Sequence, residues 1–117
     1  MNRIMLKSKI HGATLTGTEL DYEGSITVDQ DLLEKANILA NEQVHVLNLN
    51  NGSRLITYTI AAPRGSGDVV LNGPAARFGM AGDRIIILSY LELPDEEATK
   101  WRPKIIFLNQ DNRLLEK

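Results

Sequence analysis

The chain has 117 residues, carries 13 Lys and Arg against 15 Asp and Glu for a net charge of −2, and contains no cysteine. That length suits one compact domain burying somewhat over ~60% of its unfolded surface. The charge balance, with a pI near 5.6, supplies no electrostatic reason to bind nucleic acid or an anionic membrane, and the absence of cysteine excludes disulfides and thiolate chemistry. Met1 to Ile10 interleaves Arg3, Lys7 and Lys9 with isolated apolar residues, so it offers neither a continuous signal-type apolar segment nor a membrane span. A soluble, cytoplasmic protein is the default expectation.

In chain order, the first signal is a period of two. Ile4, Leu6, Ser8 and Ile10 alternate with Met5, Lys7, Lys9 and His11, the pattern of a half-buried strand with Lys9 and His11 on one face. Asp29 or Asp31 can cap a helix through Ala36 whose inner side carries Leu32, Leu33 and Ala36. Gln43 to Leu49 and Arg54 to Ala62 are β-rich runs around Asn50-Asn51-Gly52-Ser53, where Asn-Gly predicts a hairpin. Val69 to Leu71, Arg84 to Leu91 after the Gly82-Asp83 turn, and Lys104 to Leu108 read as further strands. Pro94-Asp95-Glu96-Glu97 starts a second helix with acids in its first turn, and Pro103 is expected to stop it. Many short strands with few helices, and no repeat or linker, predict a mainly β chain folded as a small closed or interlocked barrel.

Gly24-Ser25 differs in setting from Gly52-Ser53 and Gly65-Ser66. A Gly-Ser pair is ordinarily a turn, but this one lies between Tyr22-Glu23 and the apolar run Ile26-Thr27-Val28. A serine hydroxyl can attack the preceding carbonyl and form an ester by N-to-O acyl shift. β-Elimination then splits the chain, and the dehydroalanine left behind hydrolyses to a pyruvoyl group, a ketone attached to an amide. Glycine before the serine tolerates unusual φ/ψ and leaves its carbonyl open to approach. Backbone strain of ~1 to 3 kcal/mol supplies at most roughly a hundredfold in rate, so positioned hydrogen-bond donors must supply the remainder.

Several stretches follow one another in a single order over nearly the whole chain: Met5-Leu6-Lys7-Ser8-Lys9-Ile10-His11, Tyr22-Glu23-Gly24-Ser25, Asn51-Gly52-Ser53-Arg54, Thr57-Tyr58, Arg64-Gly65-Ser66-Gly67, Asn72-Gly73-Pro74-Ala75-Ala76, Gly82-Asp83 and Pro94-Asp95-Glu96-Glu97-Ala98. Through them the sequence resembles the aspartate 1-decarboxylase family, small pyruvoyl enzymes that make β-alanine for pantothenate. The resemblance implies a small six-stranded double-psi β-barrel with short helices, a homotetramer, and L-aspartate as substrate. It also implies a single decarboxylase domain over residues 1–117 that cuts itself between Gly24 and Ser25, into a β chain of residues 1–24 and an α chain of residues 25–117. The implied cofactor is a covalent pyruvoyl group derived from Ser25. Its ketone condenses with the substrate α-amine as a Schiff base and accepts the electron pair left as carbon dioxide departs. No metal or added cofactor is implied.

Carried onto matching positions, the family's roles make Ser25 and Tyr58 catalytic, Tyr58 as proton donor. Gly24, Ser25 and Thr57 serve self-cleavage, with Thr57 as a donor to the Gly24 carbonyl during attack. Substrate binding falls to Lys9, Arg54, Thr57, Asn72, Gly73, Pro74 and Ala75, supported by His11 and Tyr22. Arg54 suits the carboxylate that stays, because its planar fork binds such a group bidentately, and pairing it with the departing carboxylate would favour the ground state. Lys9 and His11 would add positive charge or orient Tyr58. Pro74 has no N–H, so Gly73 and Ala75 are the anion-binding amides of their segment. Pro74 stands where many relatives have alanine, Gly12 where they often have arginine, and Leu47 where some have an aromatic residue. In a regular strand Arg54 and Tyr58 face one way and Thr57 the other. One shared site then requires a bulge or a neighbouring subunit.

Competing readings are weaker. Gly65-Ser66-Gly67-Asp68 lacks the later Gly-Lys-Ser/Thr of a phosphate loop and reads as a turn. His11 and His45 have no metal-ligand spacing, Asn51-Gly52-Ser53 is better explained by the hairpin than by glycosylation, and Trp101 is expected to pack. A β-barrel nucleic-acid-binding module would need a dense basic face that the composition does not suggest. A pyruvoyl decarboxylase for another amino acid is the second alternative, since one methylene discriminates by only ~1 to 3 kcal/mol.

Overall fold

A computed structural model of the chain describes residues 1–115; Glu116 and Lys117, the end of the expected 1–117 domain, lie outside the described residues. Strand β1 (Asn2–Thr14) shows the predicted alternation only from Ser8 on, with Ser8 and Ile10 buried and Lys9 and His11 half-buried on the other face, whereas Ile4, expected on the inner face, is exposed. It is longer than its pattern suggested, and its antiparallel pairing with the Arg84–Pro94 strand shifts register between Leu6 and Ser8 and between His11 and Ala13. The second irregularity falls at Gly12, whose φ of +84° suits glycine. The Arg84 guanidinium closes it, donating to Gly12 O at 2.9 and 2.6 Å and to Leu108 O at 3.2 Å.

After β2 (Gly17–Glu19) and β3 (Ser25–Asp29) comes α1 (Gln30–Lys35), which buries Leu32 and Leu33. Of the two candidate caps Asp29 is used, its carboxylate accepting from the Asp31 N–H at 2.8 Å. Strands β4 (Gln43–Asn48) and β5 (Arg54–Ala62) form the predicted hairpin, with Gly52 at φ +75° in its turn. Then follow β6 (Val69–Asn72), a 3-10 turn over Gly73–Phe78, β7 (Arg84–Pro94), α2 (Asp95–Ala98) and β8 (Lys104–Phe107). Pro103 does not end α2, which stops at Ala98. The chain instead turns back onto β1, where Trp101 Nε1–H donates to Leu6 O at 2.7 Å.

The strands lie in the order β2-β6-β3-β5-β4-β7-β1-β8. Pairs β2·β6, β3·β5 and β1·β8 are parallel and the others antiparallel. Between β1 and β2 the chain crosses from one half of this order to the other, its Leu15 N–H donating to Asp83 O and its Thr16 N–H to Val69 O, both at 2.8 Å. The sheet thereby wraps one core, in which Ile10, Ile26, Leu33, Val46, Leu71 and Ile87 are almost wholly buried. Each such side chain contributes ~1.5 to 3 kcal/mol by leaving water.

The mainly β expectation, with short helices, holds. The described residues contain eight strands, and the two not read from the sequence are β2 and β3. Both pair with β6, β2 on one edge and β3 on the other; β2 has too few residues to show alternation, and β3 is buried at all its positions but Thr27 and so does not alternate. Among the described residues no helix is long and apolar enough to cross a membrane.

Candidate active site

The site follows from where β3 stops pairing. Its parallel ladder with β5 begins at Ile26↔Thr59 and runs to Asp29↔Ala62. Continued beyond the ladder by one and two residues, the same register would bring Ser25 level with Tyr58 and Gly24 level with Thr57. The chain leaves the sheet there, so Arg54 to Tyr58 pair with β4 on one edge, while their other edge opens into a pocket of about 550 Å³. Gly24, Arg54, Leu55, Ile56, Thr57, Tyr58, Pro74, Ala75 and Phe78 line it.

This resolves the conflict of parity on β5 without a bulge, since its pairing with β4 has no register shift. Arg54, Ile56 and Tyr58 lie on one face, while Leu55 and Thr57 lie on the other, paired across the hairpin with the buried Val46 and Val44. Both parities border the pocket because it runs along an unpaired strand edge, where backbone and both sets of side chains are reachable.

Ser25 lies at the head of β3 and is 0% exposed. Its hydroxyl donates to Glu23 O at 3.2 Å and accepts from Asn72 Nδ2 at 2.9 Å. Asn72 is its cross-strand partner on β6. The next residue, Gly73, has φ +61°, and a Cβ there would sit 2.8 Å from Gly24 N, 3.0 Å from Glu23 C and closer still to Tyr22 O. Segment 72–74 thus clasps the backbone of residues 22–24, and only glycine permits that approach. Pro74 completes the clasp, its Cδ facing the position a Gly24 Cβ would take.

A second anchor lies at the far end of β3. Asp29 is buried and accepts from the N–H groups of Asp31 (2.8 Å), Gly65 (3.0 Å) and Gly67 (2.8 Å). Burial works to raise its carboxyl, but these donors and the Arg113 charge outweigh burial and hold it below the usual carboxylate value. The Arg64–Gly67 loop is therefore a turn tied to β3, as the sequence suggested. Arg64 pairs with Asp31 and Glu34 at 2.7 Å, and its hydrogen bond holds the exposed Glu34 carboxyl down at about 2.

Not every predicted residue reaches the pocket. Lys9 and His11 lie on β1, across β7 and β4 from β5, where Lys9 pairs with Leu88 and Ile105 and the His11 ring packs on Phe107 at 5.5 Å. Tyr22 is half-exposed beside the clasp and contributes its carbonyl there. Arg54 Nη1 lies 3.1 Å from His45 Nδ1, and the His45 ring meets Tyr90 edge-on. Sequence reasoning missed Leu55, Ile56 and Phe78 in the lining. Period-two alternation from Arg54 to Tyr58 could have found Ile56, whereas Phe78 is brought in by the 3-10 turn and left no local signal.

The family model for aspartate decarboxylase matches residues 1–115. The chain belongs to the aspartate decarboxylase family. The aspartate 1-decarboxylase of Thermoanaerobacter pseudethanolicus is 53% identical over 113 residues, covering 97% of both chains. That of Acaryochloris marina is 53% identical over 116 residues, 99% of this chain and 88% of the relative. That of Ruminiclostridium cellulolyticum is 51% identical over 117 residues, 100% of this chain and 91% of the relative. Membership in the aspartate decarboxylase family thus extends over nearly the whole chain, clasp and pocket included.

Proposed function

We propose that this chain cuts itself between Gly24 and Ser25 and then decarboxylates L-aspartate at C1 to β-alanine and carbon dioxide. The observation that carries the reading is a buried serine hydroxyl held by Asn72 at the head of β3, directly beside a pocket bordered by Gly24, Thr57, Tyr58 and Arg54. The arrangement fits a pyruvoyl group made in place. Its atoms would come from a residue already walled by Asn72 and the Gly73 backbone, with the pocket adjoining. The ketone so formed supplies the electron sink for decarboxylation.

The remaining work falls to the chain's own side chains. Thr57, level with Gly24 when the β3·β5 register is continued back, is suited to donate its O–H to the Gly24 carbonyl oxygen as negative charge develops there during self-cleavage. Arg54 on the pocket edge is suited to hold the substrate carboxylate that stays, which orients the departing one towards position 25. Tyr58, on the same face of the sheet as Ser25, is the proton donor to the α-carbon. The N–H groups of Gly73 and Ala75 add neutral donors for an anion, and Lys9 and His11, remote from the pocket within one chain, would act on a neighbouring subunit.

A homotetramer, a six-stranded double-psi barrel and a cytoplasmic role in pantothenate supply complete this reading. Ile4, Ile56, Tyr90 and Ile105 are well exposed, and Ile4 and Tyr90 border a hollow of about 450 Å³ with Glu42, Gln43 and His45. Such apolar exposure favours subunit contact. The interleaving of parallel and antiparallel pairs favours a psi-type crossing. The test is the intact mass of the denatured protein, followed by carbon dioxide release from aspartate. Two pieces, residues 1–24 and a pyruvoyl-blocked 25–117, with turnover, are expected. An uncut chain after prolonged warm incubation, or cut protein inert towards aspartate, would overturn the proposal.

A further inference from the structure

Thr27 has no part in the roles assigned so far. Its side chain leaves β3 on the same face as that of Ser25, two residues along. Its Oγ1 accepts a 2.7 Å hydrogen bond from Asn72 Nδ2, the same nitrogen that donates to Ser25 Oγ at 2.9 Å. Both N–H bonds of that carboxamide are thereby used, one on each hydroxyl. The Ser25 proton is directed to Glu23 O, so Oγ faces Asn72 as an acceptor. Thr27 supplies the second acceptor that favours the amide with its nitrogen, and not its oxygen, turned towards Ser25.

We infer that Thr27 is a positioning residue for self-cleavage, holding one N–H of Asn72 so that the other stays on Ser25 Oγ. The inference rests on the self-cleavage reading above and says at which step the contact matters. In the first step Oγ bonds to the Gly24 carbonyl carbon, the Gly24–Ser25 C–N bond breaks, and the Oγ proton passes to the freed amine. A donor on Oγ gives no advantage there, because the oxygen is losing electron density. In the second step the Cα proton of residue 25 passes to water, its bonding pair becomes the Cα=Cβ double bond, and the Cβ–Oγ bond breaks with its electron pair remaining on oxygen. The leaving group is the Gly24 carboxylate, which carries Oγ away. Negative charge now grows on the atom that Asn72 faces, so the hydrogen bond strengthens on the way to the transition state. Water then hydrolyses the dehydroalanine, through its imine tautomer, to the ketone and ammonia.

The experiment compares Thr27→Val, which keeps the β-branched shape and loses the acceptor, with Thr27→Ser, which keeps the acceptor. Freshly purified chains are followed by intact mass with and without neutral hydroxylamine, which cuts esters and spares amides. Thr27→Val is expected to complete its cut about three- to tenfold more slowly, the effect of one neutral hydrogen bond. It should also hold a larger hydroxylamine-sensitive fraction, while Thr27→Ser matches the parent protein in both. A merely structural role would lower the melting temperature without raising the ester fraction. Parent-like cutting by Thr27→Val with no added ester would overturn the inference while leaving self-cleavage standing. A parent protein that neither cuts nor yields to hydroxylamine would remove the reading beneath it. If Thr27→Val does not fold, Thr27→Ala is read by the same ester criterion.

Discussion

Replacing Gly73 by alanine tests the tightness of the clasp over residues 22–24, and two other glycines separate the contributions. Gly17 has no positive φ and nothing within 4 Å of an added Cβ; Gly52 has φ +75° and equally open surroundings; Gly73 has φ +61° and backbone atoms within 3.0 Å. Gly17→Ala should therefore change stability little. Gly52→Ala should cost ~1 to 2 kcal/mol, the penalty of a left-handed conformation for an L-residue. Gly73→Ala carries the same penalty plus ~1 to 3 kcal/mol of overpacking, about 2 to 5 kcal/mol in all. Its neighbours are backbone atoms of residues 22–24, which cannot rotate aside as a long side chain would. That sum is a large share of the ~5 to 15 kcal/mol that holds a domain folded. Denaturant unfolding of the three variants at one protein concentration, with intact mass to follow the Gly24–Ser25 bond, gives both readouts. Gly73→Ala should be the least stable and the slowest to cut. Equal stability of Gly73→Ala and Gly52→Ala would refute the close-approach argument.

Asp29→Asn should lower stability at neutral pH by ~1 to 3 kcal/mol, since one face of the amide cannot accept from the three N–H groups. Because the folded Asp29 carboxyl is held below its ordinary value of 3.8, its contribution is fully present above that value and is lost as pH falls towards the folded pKa. The gap between parent and Asp29→Asn in unfolding titrations should accordingly narrow below pH 3.8; a constant gap would show that the charge is not what the loop amides hold. Tyr58→Phe should cut normally yet turn over aspartate ~10² to 10⁴-fold more slowly, and parent-like turnover would remove Tyr58 as the proton donor. Arg54→Ala should lower kcat/KM for aspartate by roughly 10- to 150-fold, the worth of a hydrogen bond to a charged group, with unchanged kinetics counting against it as the carboxylate partner.

Period-two alternation located β1, whose central residues bury every second side chain, while β-rich composition between turn residues located the hairpin and β7, whose Ile85 to Ser89 are buried without a break. Turn chemistry at Asn51-Gly52 was equally local. The motif residues Gly24-Ser25, Thr57-Tyr58 and Asn72 to Ala75 were legible as a set before any geometry was known. Their assembly was not. Whether Asp29 or Asp31 capped α1 depended on Gly65 and Gly67, which arrive from another loop. The end of α2 depended on where Trp101 could reach β1, and Pro103 had no say in it. Strand β2 exists because β6 offers it an edge.

The sequence by itself determined which chemistry was available: a hydroxyl after a glycine, a phenol, a guanidinium, and no thiol to compete. It also determined the β character, through patterns that span only neighbouring residues. Tertiary structure alone decided that the β3·β5 ladder starts one residue after Ser25, which opens the edge of β5 and lets residues of both parities face one pocket. It alone set Asn72 between Ser25 and Thr27, and Gly73 against the backbone before the cut. These are contacts between segments some fifty residues apart along the chain. No local period encodes such contacts, because their register is fixed only when the whole sheet closes on its core.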